Sequence, residues 1–167
     1  SSDVCSSDLL GDEHQDTLTS VNNQGSLLLY QGKLNGAESL YREALEGNRR
    51  RLGDEHPDTL LSINNLGMLL LNQGKHDEAE LLYREALEVS RRKLGDEHLS
   101  TLLSINNLGT LLLNQGKHDE AEPLCREALE VSRRKLGDEH PDTMLSINNL
   151  GMLLRAQGKL DEAEPLL

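Results

Sequence analysis

Between Leu52 and Lys93 the apolar residues fall into two stripes at helical spacing, with polar residues filling the positions between them. The first stripe, Leu60, Ile63, Leu66, Gly67 and Leu70, predicts a helix over about Asp58–Asn72 with one buried face. Pro57 suits its first position, where a missing N–H costs nothing. Gln73, Gly74 and Lys75 should end it, since glycine tolerates the left-handed backbone of a helix terminus. The second stripe, Ala79, Leu82, Tyr83, Ala86, Leu87 and Val89 or Ser90, predicts a helix over about Asp77–Lys93. Asp77, Glu78 and Glu80 crowd its first turns and Arg91, Arg92 and Lys93 its last, matching the helix dipole at both ends. Glu80 and Arg84 add an i,i+4 pair of the favourable orientation. Gly67, Ala79 and Ala86 stand where two backbones must approach, so the helices should fold back as an antiparallel hairpin.

The same stretch returns almost unchanged. Residues 94–135 differ from 52–93 only at Pro57/Leu99, Asp58/Ser100, Met68/Thr110, Leu81/Pro123 and Tyr83/Cys125, and Gly11, Gly53, Gly95 and Gly137 stand 42 residues apart. A fixed period of this size signals stacked helical units, each burying its apolar face on its neighbours. Units at 11–52, 53–94 and 95–136 are complete, while 137–167 stops inside its second helix. That stop predicts apolar side chains such as Leu150, Leu153 and Leu154 left partly uncovered, and self-association through the C-terminal face. Pro123 and Pro165 lie early in second helices, where a proline removes at most one ladder bond, so the array should survive both.

Composition agrees with an array. The 167 residues are 36% hydrophobic and 2% aromatic, poor for one compact globule but adequate for units that share faces. A net charge of −12 argues against nucleic acid and against acidic membrane surfaces, both of which need a surplus of Lys and Arg. The first nine residues, SSDVCSSDL, stand outside the period. Back-translated as AGT TCA GAC GTG TGC TCT TCC GAT CT, they resemble a common sequencing-adapter oligonucleotide, so a non-native or disordered leader is expected over residues 1–10. Cys5 falls in that leader, which leaves Cys125 as the one cysteine of the array. The absence of a disulfide framework and of targeting signals gives a cytoplasmic expectation. Cys125 takes the place of Tyr41 and Tyr83 and should pack as a small hydrophobe.

No constellation reads as an active site. His14, His56, His98 and His140 recur with the period, and His76 and His118 stand in the turns between helices, but no HExxH or paired Cys–His spacing supports a metal. Asp54 with Glu55 and Asp77 with Glu78 are adjacent, exposed and repeated, whereas acid–base catalysis needs two carboxylates in unlike environments. NQGKH lacks the glycine spacing and the Ser or Thr of a phosphate loop. The basic triplets Arg49–Arg51, Arg91–Lys93 and Arg133–Lys135 each end a helix and complement its dipole. No catalysis, cofactor or metal is expected.

LG-x-x-HP before the first helix, NNLG within it, NQGK-x-DEAE between helices and REALE in the second strongly resemble the tetratricopeptide repeat in its 42-residue form. The resemblance covers residues 11–167 and is similar to the repeats of kinesin light chains and nephrocystin-like proteins, where EAEPLC also recurs, as at Glu120–Cys125. It departs from kinesin light chains at Gly25, Gly67, Gly109 and Gly151, where they commonly carry Ala, and the heptad coiled coil those proteins carry ahead of their repeats is not visible in residues 1–167. The resemblance implies an all-α solenoid, a right-handed superhelix of antiparallel helix hairpins. It also implies an interaction scaffold that binds an extended peptide or a partner helix in the concave groove of its first helices, as in a kinesin light chain-like cargo adaptor. The alternative is the sensor array of a larger signalling ATPase or protease.

Within that groove the non-stripe positions of the first helices should meet the partner. They are Asn22/Asn23, Asn64/Asn65, Asn106/Asn107 and Asn148/Asn149, with Ser26, Met68, Thr110 and Met152 one turn on. Asn carries both donors and acceptors, and a ladder of them can hold a peptide backbone without regard to its sequence. The alternative is that these residues order helix–helix contacts between units. Chaperone-binding members clamp a terminal carboxylate with lysines on these helices; the matching Thr19, Leu61, Leu103 and Leu145 are uncharged, so no such clamp is expected. Arg155, in place of Leu71 and Leu113, is the one basic residue on this face and would meet a ligand acid.

Overall fold

The computed structural model describes residues 15–166, with the backbone alone at Gln15. The expected leader, Cys5, Gly11 and His14 lie outside the described residues. The rest is helical, with no strand among the described residues. The chain divides into two compact units at Lys75/His76.

The first unit contains α1 (Gln15–Tyr30), α2 (Leu34–Leu52) and α3 (Pro57–Asn72), with α2 packed on both others. The predicted stripe of α3 is its core: Leu60, Ile63, Leu66, Gly67 and Leu70 are all buried, and Leu69 joins them. Pro57 stands at the helix start as expected. The residue before it caps the helix, because the Nδ1 of His56 accepts from the Asp58 N–H at 3.2 Å. At the far end Lys75 N–H reaches the Leu70 carbonyl at 2.9 Å and Gly74 N–H reaches Leu71 at 3.0 Å. This pair of bonds needs a left-handed residue between them, and Gly74 supplies it with φ of +74°.

The second unit contains α4 (His76–Leu94), α5 (Leu99–Asn114), α6 (His118–Leu136), α7 (Pro141–Ala156), the short α8 (Leu160–Ala163) and a 3-10 turn over Glu164–Leu166. Each helix packs on the next, and α5 also meets α7. His98 and His140 cap α5 and α7 through Nδ1 as His56 caps α3, at 3.1 and 3.2 Å. Thr101, fully buried, donates to the Gly95 carbonyl at 2.7 Å and holds the loop before α5 against its first turn. The helix α6 runs unbroken through Pro123, because a proline in the first two turns removes a single ladder bond.

One expectation is corrected. Leu150, Leu153 and Leu154 are not uncovered: all three are buried, with 3% exposure or less. The apolar face of α7 lies on α6, and α8 with the following 3-10 turn closes over it. The apolar surface invoked for self-association is therefore already spent on intrachain packing.

Candidate interaction surface

Stepping by four and three residues from Leu61 gives Asn65 and Met68 on one face of α3, turned away from the buried stripe. The same steps give Thr19, Asn23 and Ser26 on α1, Leu103, Asn107 and Thr110 on α5, and Leu145, Asn149 and Met152 on α7. Leu61, Met68, Leu103, Leu145 and Met152 each leave between 38% and 51% of their surface exposed. In the first unit this face forms a recess of about 540 Å³ whose lining includes Ser26, Tyr41, Asn65, Met68 and Asn72. A smaller one of about 160 Å³, at Asn22, Asn23, Asn65 and Leu61, adjoins it through Ser26 and Asn65.

The paired asparagines divide their work. Asn22 Nδ2 donates to Ser62 Oγ at 3.2 Å, which ties α1 to α3, and Asn48 Nδ2 on α2 donates to the same oxygen at 2.9 Å. In the second unit Ser146 Oγ donates to Asn106 Oδ1 at 3.2 Å, which ties α5 to α7. Asn22 and Asn106 thus act in helix–helix packing, the alternative weighed for the ladder. Asn23 is exposed and Asn65 half-buried on the open face. Asn64 and Asn107 are half-buried. Asn149 is buried at 2% exposure, as is Asn106 at 6%, so both are withdrawn from the open surface. Thr110 keeps its hydroxyl on its own helix, donating to the Asn106 carbonyl at 2.8 Å. Asn148 and Arg155 are exposed with Met152 on α7, at i, i+4 and i+7 spacing.

Charge is concentrated on the second helices. Glu80 on α4 accepts from Lys117, in the turn before α6, at 2.6 Å and from Arg84 at 2.8 Å. Glu38 does the same with Lys75 and Arg42, and Glu122 with Lys159 and Arg126. In each case the lysine hydrogen bond is the largest cause that holds the carboxyl down at about 2, against 4.5 for a free glutamate. These clasps bridge a second helix to the turn one unit later. The predicted i,i+4 pair is present, but the longer-range lysine partner was not foreseen. Its one sequence signal is that Glu and Lys recur 37 residues apart in every unit.

Two further recesses of about 580 and 570 Å³ lie on the second-helix side, floored by Leu87 with Leu108 and by Leu129 with Leu150. Arginines rim both, and each already pairs with a carboxylate of the chain: Arg84 with Glu120, Arg91 with Asp96, Arg126 with Glu162 and Arg133 with Asp138. Cys125 is buried, and burial with the nearby Glu122 charge pushes its thiol up to about 11. Among the described residues no three His, Cys, Asp or Glu side chains gather as metal ligands. No helix of the described residues is long and apolar enough to cross a membrane.

The tetratricopeptide repeat family model matches residues 16–92, 58–116 and 99–167. The chain belongs to the tetratricopeptide repeat family. Among solved structures it is similar to BtubC (BKLC) from P. vanneervenii, at 26% identity and a TM-score of 0.82 over 90% of this chain and 60% of that one. It is also similar to a protein of Podosopora anserina named as a kinesin light chain with nearly identical TPR-like repeats. That match has 25% identity and a TM-score of 0.80 over 96% of this chain and 76% of that one, and a second structure of the same protein gives 0.82. The repeats are thus of the kinesin light chain-like type, on an all-α fold. Tetratricopeptide repeats generally mediate protein–protein interaction and are typically non-catalytic. The chain spans 60% of the length of the BtubC structure. No curated protein matches the chain.

Proposed function

We propose that this tetratricopeptide array is a non-catalytic scaffold that holds an extended peptide or a partner helix of another protein on the open face of its first helices, in the cytoplasm. The observation that carries this reading is that Leu61 and Met68 in the first unit, and Leu103, Leu145 and Met152 in the second, stay half-exposed beside the asparagines of the same helices. Apolar side chains left open on rigid helices offer a preorganised surface, so binding loses little to ordering the receptor. Its accessible members are Asn23, Asn65, Met68, Asn107, Thr110, Asn148, Met152 and Arg155. Likeness to the kinesin light chain-type repeats of BtubC and the Podosopora anserina protein supports an adaptor role.

The test uses a display library of extended peptides selected on the full chain. Peptides so obtained should lose binding to Leu103→Glu and Met152→Glu and keep it with Leu81→Glu, which changes an exposed leucine of α4. Circular dichroism should stay unchanged in all three. Binding that survives both first-helix changes, or that fails with Leu81→Glu alone, overturns the reading.

A further inference from the structure

The chain carries a net charge of −12 with 46 acidic and basic residues by sum, yet its first helices hold almost none of them. On α1, α3, α5 and α7 the charged side chains are Asp16, Asp58, Asp142 and Arg155. The three aspartates stand in first turns, where a helix N-terminus favours a carboxylate, and Arg155 stands in a last turn. Between those ends the open positions are Leu61, Asn65 and Met68 on α3 in the first unit, and Leu103, Asn107 and Thr110 on α5 with Leu145 and Met152 on α7 in the second. None is charged. By contrast α4 alone bears nine charges over its 19 residues.

From this segregation we infer that the open face of α5 and α7, within the second unit, takes a neutral, extended segment of a partner protein, with apolar side chains at a spacing of about three residues. The inference rests on the groove reading above and adds the chemistry of its occupant. A ligand carboxylate or ammonium set against Leu103, on a helix that carries no charged side chain, would lose its water and find no opposite charge, which excludes acidic and basic residues from that contact position. Apolar side chains meet Leu103, Leu145 and Met152 instead. The spacing follows from packing: Leu103 and Leu145 occupy the same position on α5 and α7, neighbours joined by the Asn106–Ser146 bond. Packed helix axes lie about 8–10 Å apart, which a polyproline II-type extended segment covers in about three residues, one turn that returns the side chain to the same face. The charge on the second helices acts on such a ligand only through solvent, where salt screens it.

The experiment measures fluorescence anisotropy on the full chain with four labelled peptides: Leu at every third position in a Gln/Ser background, and the same peptide with Gln, Glu or Lys in place of its central leucine. The all-leucine peptide should bind, with a dissociation constant that changes less than about twofold between low salt and about 0.5 M NaCl. The Glu and Lys peptides should each bind at least about tenfold more weakly than the Gln peptide. Leu103→Glu should remove the all-leucine peptide, and Leu81→Glu should not. Tighter binding of a charged peptide that is still lost in Leu103→Glu, or a salt effect beyond about tenfold, overturns the inference and leaves the groove. Peptide binding unaffected by Leu103→Glu overturns both.

Discussion

The ring of Tyr41 lies against Gly25, so close that a Cβ built on the glycine would stand 2.7 Å from Cε1 and 2.8 Å from Cδ1. The tyrosine is held there, being 1% exposed and sharing a 2.9 Å hydrogen bond with Ser26 Oγ. In the repeat over residues 95–136 Cys125 replaces the tyrosine, and a Cβ on Gly109 would meet its sulfur alone, at 3.2 Å. The departure from alanine at these positions is therefore tied to what stands 16 residues later.

Gly25→Ala and Gly109→Ala should part in stability. Each gains about 1 kcal/mol of helix propensity. At Gly25 a stiff ring must move, at a cost of about 1–3 kcal/mol, so the net effect is a loss. At Gly109 one sulfur needs to give by a few tenths of an ångström, so the change should be neutral or stabilising. Urea melts of the two variants check the difference in sign.

The thiol of Cys125 should be inert in the folded chain. It is 3% exposed and its deprotonation is opposed by burial and by the Glu122 charge, whereas a reactive thiol needs access and thiolate character. In a Cys5→Ser background a thiol reagent at pH 8 should label Cys125 at the rate of unfolding, and at full speed in urea. Rapid labelling under native conditions would contradict this packing.

Much of the architecture could be read from the chain because it rests on local rules. The stripe from Leu60 to Leu70, Pro57 at a helix start and Gly74 at a helix end each depend on neighbours within a turn or two. The rest depends on contacts between elements that no local pattern records. Leu150, Leu153 and Leu154 looked uncovered because a short final helix and a 3-10 turn do not register as a lid. Asn22 and Asn23 look alike in a string, yet Ser62, 40 residues on, draws one into packing and leaves the other exposed. The Lys117 bond to Glu80 has no local signature, because NQGK reads as a helix stop.

Acid should loosen the junctions held by Glu38, Glu80 and Glu122. Their folded values of about 2 lie below 4.5, so the clasps contribute in full above about pH 4.5 and are lost as pH falls through 2. Urea midpoints should drop between pH 5 and pH 2.5, and Lys117→Met should flatten that drop by removing the main support of Glu80. At neutral pH the same change should cost about 0.5–1 kcal/mol, since Lys117 is partly exposed.

Asn106 and Asn23 should behave in opposite ways when truncated. Asn106→Ala leaves Ser146 Oγ without its 3.2 Å acceptor in a buried setting, though the hydroxyl retains the Asp142 carbonyl at 3.0 Å. The expected loss is therefore about 1 kcal/mol, the net worth of one intramolecular bond. Asn23 is exposed, so Asn23→Ala should leave stability within about 0.5 kcal/mol, with any effect appearing in peptide affinity. Chemical melts read the first quantity and anisotropy titrations the second. Equal stability losses would mean that both asparagines belong to the packing, and the open face would lose a member of its polar row.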